Sequence, residues 1–148
     1  MRILFNKITG LIFYVFVSVT CSDTNYSDFT LAKFRYDKKS YDQYIIARND
    51  GYHRLTGYDV ADSTYGIVVV PGYYPKGWTT KGFEWVDPLR ELSRSKVPIW
   101  LYRYDWNQCP EQVADRFHKR MINFQIENPH LDSLWVIGHS YGGLIVAL

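Results

Sequence analysis

The chain has 148 residues, which is enough for one domain of ordinary size and too few for two. Its apolar fraction of 47% excludes wholesale disorder, and its formal net charge of +2 gives no basic field of the kind that nucleic-acid binding needs. The 2 cysteines are too few for a disulfide scaffold or a cysteine-rich zinc site, and the 4 histidines lack the spacing of metal ligands, so we expect neither a metal nor a cofactor.

The amino terminus has the pattern of a secretory signal peptide. Arg2 and Lys7 precede an uncharged, mostly apolar run from Ile8 to Thr20, and polar residues follow it. The run is shorter than the roughly 20 residues that a transmembrane helix needs. We therefore predict a signal peptide over residues 1–21 and a secreted or cell-envelope protein. The alternative is a buried amino-terminal strand or helix.

Cys21, at the end of this run, lies where bacterial lipoproteins carry their lipidated cysteine. The preceding Ser18 and Thr20 fit that pattern imperfectly, so membrane attachment through a lipidated Cys21 and simple cleavage both stay open. We assign residues 22–40 to an amino-terminal extension and residues 41–148 to the folded domain.

The domain opens with strand-like sequence. Residues 49–51 read Asn-Asp-Gly between two β-leaning runs, which predicts a hairpin with strands over residues 42–48 and 52–60. Residues 66–70 form a continuous apolar, mostly β-branched run. Continuous apolarity predicts a strand covered on both faces, as in a parallel sheet.

A short helix and a further strand come next. Asp87 is predicted to cap the helix, with Pro88 at its first position and with Leu89 and Leu92 on one apolar face. Residues 99–104 are apolar and aromatic, and they predict the following strand.

The last elements are a long helix, a strand and another helix. The long helix is predicted over Pro110 to Asn128 because apolar residues recur on one face at helical spacing. These residues are Val113, Phe117, Met121 and Phe124. Residues 133–137 predict another continuous apolar strand, and residues 144–148 begin a new apolar helix. The alternation predicts an α/β fold with a mainly parallel sheet and flanking helices.

The motif that carries chemistry is Gly-x-Ser-x-Gly at residues 138–142, between the last predicted strand and the last predicted helix. This strand–turn–helix setting is the one in which a serine is raised above a sheet edge as a nucleophile. Gly138 and Gly142 suit such a tight turn because a Cβ at either position would collide with neighbouring backbone. Ser140 is therefore the candidate nucleophile. The alternative is a glycine-rich turn with no catalytic role.

At this point the chain resembles the lipases and esterases of the α/β-hydrolase superfamily, over residues 41–148. The resemblance rests on GHSYGG, on VVVPGYY after an apolar strand, on WVDPLREL and on WLYRYDW. It implies a serine hydrolase that acts on small-molecule or lipid carboxylic esters and forms an acyl-enzyme on Ser140. It also implies an oxyanion hole made by the backbone N–H groups of Tyr73 and Tyr141. Pro71 stands where the family usually has histidine.

The sequence departs from the family pattern in its triad. The family orders its triad as serine, acid and histidine, but no Asp, Glu or His follows Ser140. We therefore interpret the chain as the amino-terminal part of a hydrolase, or a truncated product, that ends after the nucleophile elbow and is unstable and inactive alone. The triad acid and histidine are expected beyond Leu148. A non-catalytic remnant or a partner-binding fragment is the alternative.

The histidines of this chain are each expected to be structural or exposed rather than a substitute base. They are His53, His118, His130 and His139. Asp105 follows a strand at the correct sheet edge for a site, but it is expected to cap a turn.

Aromatic residues crowd the loops after the third and fourth predicted strands. Loops at that edge form the pocket of an open α/β fold, so these side chains are expected either to line an apolar pocket or to fill the core. They are Tyr73, Tyr74, Trp78, Phe83, Trp85, Tyr104 and Trp106.

Overall fold

The computed structural model describes residues 29–33, 35, 39, 48–73 and 85–148. Within them, five strands form one sheet. The strands are β1 (Phe29–Thr30), β2 (Gly51–Thr56), β3 (Tyr65–Val70), β4 (Ile99–Arg103) and β5 (Ser133–Gly138). The helices are α1 (Val86–Ser93), α2 (Pro110–Glu127) and α3 (Tyr141–Ala147), and Leu31–Lys33 form a 3₁₀ turn. The predicted signal peptide, with Cys21, lies outside the described residues.

The strands are ordered β1-β2-β4-β3-β5 across the sheet. β3 is parallel to both of its neighbours, β4 and β5, and β1 is parallel to β2, whereas β2 runs antiparallel to β4. The chain is therefore an α/β protein with a mixed, mostly parallel sheet and flanking helices, which confirms the predicted class at this level. Among the described helices, none is both long enough and apolar enough to cross a lipid bilayer.

β3 lies between β4 and β5 and is buried along nearly its whole length. Every residue from Gly66 to Val70 is buried, and consecutive side chains of a strand point to opposite faces. Both faces of β3 are thus covered, as its continuous apolar sequence predicted.

β5 differs from the same prediction. Its residues are exposed or half-buried, and Trp135 is 64% exposed. The reason is position: among the described strands β5 pairs only with β3, so it lies at the edge of the sheet. An apolar run alone does not distinguish a central strand from an edge strand.

The structure describes the second strand of the predicted hairpin and the turn before it. Its second strand is β2, which ends at Thr56 rather than at residue 60, and it pairs with β1 and β4. Residues 42–47 of the first predicted strand lie outside the described residues, and residues 48–50 are not in a strand. Asp50 instead forms an ion pair with Arg103 at the end of β4.

Helix α1 begins earlier than its sequence predicted. Trp85 occupies the N-cap position and Asp87 lies within the first turn, so the prediction that Asp87 caps the helix was wrong. Val86 and Leu89 are both fully buried, and Leu89 N–H donates to the Trp85 carbonyl at 3.0 Å. Burial of two apolar side chains on one face outweighs a local capping preference. Pro88 is tolerated because the first N–H groups of a helix need no intrahelical acceptor.

Helix α2 begins at Pro110 and presents the predicted apolar face to the sheet. Phe117 and Phe124 are buried on that face. The Phe124 ring lies 4.7 Å from the Tyr52 ring and 4.8 Å from the Trp100 ring, centroid to centroid. This aromatic contact joins α2 to the two strands β2 and β4.

Candidate active site

The register of β3 and β5 brings two loops together at the carboxyl edge of the sheet. The strands are parallel, with Val70 opposite Gly138, so residues 71–73 and residues 139–140 leave the sheet side by side. The His139 N–H donates to the Val70 carbonyl at 3.0 Å and extends this pairing one step beyond the strands. Pockets of open α/β sheets form outside this edge.

Ser140 is the single residue between His139 and helix α3, and its backbone conformation is uncommon. It has a φ of 52° and a ψ of −121°. Among the described non-glycine residues only Lys96, in the turn that ends α1, also has a positive φ. Such a conformation costs about 1–3 kcal/mol and persists only where the surrounding structure enforces it. The residue itself is exposed.

Glycine is required at two positions of this turn because backbone segments approach each other closely there. A Cβ on Gly142 would overlap the carbonyl oxygens of Val70 and Pro71. A Cβ on Gly138 would lie 2.7 Å from the Gly143 Cα and 2.8 Å from the Gly142 oxygen. No side chain fits at either position without moving backbone, so the first turn of α3 packs directly on the end of β3.

The loop after β3 adjoins the serine. A Cβ built on Gly72 would lie 3.1 Å from the Ser140 Cβ, so this loop and the serine are in contact distance. Tyr73 follows in the same loop, and its ring lies 6.2 Å from the ring of Tyr141. Tyr141 is the first residue of α3, and its N–H has no acceptor within the helix. Both residues predicted to donate to an oxyanion thus belong to segments beside Ser140.

Tyr104 contacts both the loop after β3 and the first residue of α3. Its hydroxyl donates to the Pro71 carbonyl at 2.6 Å, and its ring stacks on Tyr141 with centroids 6.0 Å apart and planes at 22°. The Tyr141 hydroxyl donates to the Gln108 carbonyl at 2.8 Å. Burial, followed by the nearby Cys109 and Glu111, raises the pKa of Tyr141, so its hydroxyl stays a neutral donor.

The histidines lie at four separate places. The His139 ring packs edge-on to Trp85, with centroids 5.9 Å apart. His53 lies on β2, three strand spacings from β5, or roughly 14 Å. His118 is exposed on α2. His130 is exposed in the turn before β5, a strand length of roughly 20 Å from Ser140.

Asp105 is committed to its own loop. One carboxylate oxygen accepts hydrogen bonds from the Asn107 N–H at 3.0 Å and from the Asn107 side-chain amide at 3.2 Å, and the other accepts from the Gln108 amide at 3.0 Å. The backbone N–H of Asn107 is the main group that lowers the pKa of Asp105. The carboxylate caps a turn, as predicted.

Of the two alternatives for the loop aromatics, a pocket wall or the core, three members take the second. Trp85, Tyr104 and Trp106 are 8%, 1% and 6% exposed, so they fill the core, and the alternative interpretation holds for them. Tyr73 is 41% exposed beside the serine. The remaining members, Tyr74, Trp78 and Phe83, lie outside the described residues.

Tyr104 was expected either to line a pocket or to fill the core, and its hydrogen bond to Pro71 was not predicted. Its place one residue beyond β4, at the same edge as the serine, was the available signal. That edge position did not reveal which backbone group its hydroxyl meets.

Comparison with known proteins returns no relative. No family model matches the chain, and neither a curated protein nor a solved structure is similar to it. Within the part of the chain that the structure describes, no three His, Cys, Asp or Glu side chains are grouped closely enough to bind a metal ion. At this edge the structure places an exposed Ser140 between the loop after β3 and the first turn of α3.

Proposed function

We propose that the protein is a serine hydrolase of the α/β-hydrolase type that cleaves carboxylic esters through an acyl-enzyme on Ser140. The observation that carries this proposal is the backbone of Ser140, with its φ of 52° between β5 and α3. Strained residues of this kind cluster at functional sites, and a strand–turn–helix elbow is the setting in which a nucleophilic serine is found.

The proposed reaction uses two bond exchanges at the acyl carbon. The Ser140 Oγ forms a bond to that carbon, its proton passes to a general base, and the ester C–O bond breaks as the base returns the proton to the leaving alcohol. Water then attacks the acyl carbon, its proton passes through the base to the Ser140 Oγ, and the bond between Oγ and the acyl carbon breaks to release the acid. In both steps the N–H groups of Tyr73 and Tyr141 stabilise the negative oxygen.

The general base of this proposal is a histidine paired with a carboxylate from outside the described residues. Three of the histidines lie on distant elements, and the His139 ring packs against Trp85. Asp105 has its carboxylate oxygens engaged within its own turn. A serine without a base is a poor nucleophile at neutral pH, so activity depends on that pair.

The proposed substrate is a small-molecule or lipid ester with an apolar acyl group. The exposed Tyr73 ring lies beside the serine and next to the Tyr141 ring, and aromatic surfaces favour apolar groups. A lipid substrate agrees with the proposed export of the protein through a signal peptide over residues 1–21. Attachment to the membrane through a lipidated Cys21 belongs to the same proposal.

A reporter-tagged fluorophosphonate tests the proposal on the protein expressed from its complete natural reading frame. The Ser140 oxygen would bond to phosphorus, fluoride would leave, and the hydroxyl proton would pass to the base. We expect the label on the peptide that contains Ser140, by mass spectrometry. Ser140→Ala should abolish labelling. Ser133→Ala, which removes an exposed serine at the other end of β5, should leave it unchanged.

An unlabelled protein, or equal labelling after Ser140→Ala, would contradict the proposal. That outcome would favour the alternative of a non-catalytic remnant or a partner-binding fragment.

A further inference from the structure

We infer that Tyr104 is a positioning residue that sets the geometry of both arms of the oxyanion hole. Because that hole belongs to the proposed function, this inference rests on it. Tyr104 acts through the two segments that carry the predicted N–H donors, the loop after β3 and the first turn of α3.

The first arm is held by a buried hydrogen bond. The Tyr104 side chain is 1% exposed, and its hydroxyl donates to the Pro71 carbonyl at 2.6 Å. The same carbonyl oxygen lies 2.5 Å from the place where a Gly142 Cβ would stand. The Pro71 carbonyl is therefore held between a hydroxyl on one side and the first turn of α3 on the other, two residues before the Tyr73 N–H.

Pro71 follows β3 directly and is buried. Its carbonyl is buried and requires a donor, since buried backbone acceptors are almost always paired. The hydroxyl of Tyr104 supplies that donor and fixes the orientation of the loop at its first peptide.

The second arm is held by ring stacking. The ring of Tyr104 stacks on the ring of Tyr141 with centroids 6.0 Å apart, and the centroid of the Tyr141 ring lies 6.2 Å from that of the Tyr73 ring. Tyr141 carries the second predicted oxyanion donor on its backbone. One buried side chain thus contacts both segments, and a shift of that side chain would move the two N–H groups relative to each other.

Tyr104→Phe separates the two contacts because it keeps the ring and removes the hydroxyl. We expect the maximal rate constant of fluorophosphonate labelling at Ser140 to fall by about ten- to a hundredfold, since small displacements of catalytic groups have effects of this size. The concentration of probe that gives half-maximal rate should change less than about twofold, because the binding surface is retained.

Tyr58→Phe is the matched control. The Tyr58 hydroxyl donates to the Val97 carbonyl at 2.7 Å, away from the serine, so its loss removes a similar hydrogen bond to a backbone carbonyl. We expect Tyr58→Phe to lower the thermal midpoint without slowing the labelling. Replacement of Tyr104 by 4-aminophenylalanine, which restores a donor at the same place, should recover most of the rate and serves as the comparison if Tyr104→Phe does not fold.

The outcomes separate the two claims. A wild-type protein that is not labelled at Ser140 would overturn the proposed function and this inference with it. A labelled wild type overturns only the inference if Tyr104→Phe reacts at the wild-type rate, if Tyr58→Phe is slowed equally, or if the 4-aminophenylalanine variant stays as slow as Tyr104→Phe.

Discussion

Ser140 and Asp105 both follow strands at the carboxyl edge of the sheet, yet their surroundings assign them different tasks. Asp105 accepts hydrogen bonds from Asn107 and Gln108 and holds its own turn. Ser140 is exposed and held at a φ of 52° by backbone contacts that leave its side chain uncommitted to any turn. At the scale of single residues, the strained backbone of an exposed serine is the feature on which the proposed site rests.

His53 gives a prediction about pH at the same scale. Burial is the main cause that lowers its pKa, and Arg48 and Arg103 lower it further, while the Asn49 carbonyl and Asp50 oppose them. The unfolded chain therefore binds a proton at a higher pH than the folded one. The free energy of unfolding should decline as the pH falls below about 6.5 and level off below the folded pKa.

Urea unfolding of the wild type between pH 7.5 and pH 5 measures this decline, and His53→Gln should remove most of it. His118→Gln, at an exposed position on α2, should keep the wild-type pH dependence. An equal decline in the His53→Gln protein would show that another group is responsible.

At the scale of elements, alanine substitutions at two neighbouring glycines of the turn between β5 and α3 should have different effects on the free energy of unfolding. A Cβ on Gly142 would overlap the Val70 and Pro71 carbonyls, whereas a Cβ on Gly143 would meet nothing closer than 3.5 Å. We expect Gly142→Ala to lower the free energy of unfolding by about 3 kcal/mol or more. Gly143→Ala should be neutral or stabilising by up to about 1 kcal/mol, because alanine favours a helix. Thermal unfolding of both proteins checks this, and similar losses would mean that α3 does not pack on β3 as described.

Helix α2 gives a second contrast at this scale. Phe124 is buried between Tyr52 and Trp100, and Ile126 is 71% exposed on the same helix. Phe124→Ala should destabilise by about 3–5 kcal/mol through the cavity it leaves, and Ile126→Ala by less than about 0.5 kcal/mol. Denaturant titration measures both, and a loss below about 1 kcal/mol for Phe124→Ala would contradict the assigned packing.

Elements with a strong local signal were predictable, and those set by long-range contacts were not. The run from Gly66 to Val70 predicted β3, and Pro110 with its apolar face predicted α2, because the signals for these elements lie within the elements themselves. The start of α1 was misplaced because burial of Val86, which no local pattern shows, outweighed the cap at Asp87. The antiparallel pairing of β2 with β4 likewise depends on residues far apart in the chain.

The site was predictable to the extent that it is local. Residues 138–142 form one continuous motif, and the turn they describe follows from glycine sterics. The contact between Tyr104 and Pro71 joins loops 33 residues apart in sequence, and it became visible only once the sheet order placed β4 beside β3. Trp85 and Trp106 are buried in the folded protein, and composition alone could not show whether they fill the core or line a pocket.

At the scale of the whole molecule, β5, which is the edge strand among the described strands, exposes apolar side chains. Trp135 is 64% and Tyr65 is 41% exposed, and their rings lie 6.2 Å apart on neighbouring strands. We expect Trp135→Gln to reduce the fluorescence of a bound hydrophobic dye and to change the free energy of unfolding by less than about 0.5 kcal/mol, as for an exposed position. Val60→Gln, at an exposed residue between β2 and β3, should leave dye binding unchanged, and the reverse pattern would place the apolar surface elsewhere.

The most direct measurement for the molecule as a hydrolase is to trap the acyl-enzyme. The protein from its complete natural reading frame would be mixed with p-nitrophenyl butyrate, quenched in acid within seconds and digested for mass spectrometry. The proposed function predicts a butyryl group on the peptide that contains Ser140, and none after Ser140→Ala. Release of p-nitrophenol with no acyl group on that peptide, or acylation that persists in the Ser140→Ala protein, would contradict it.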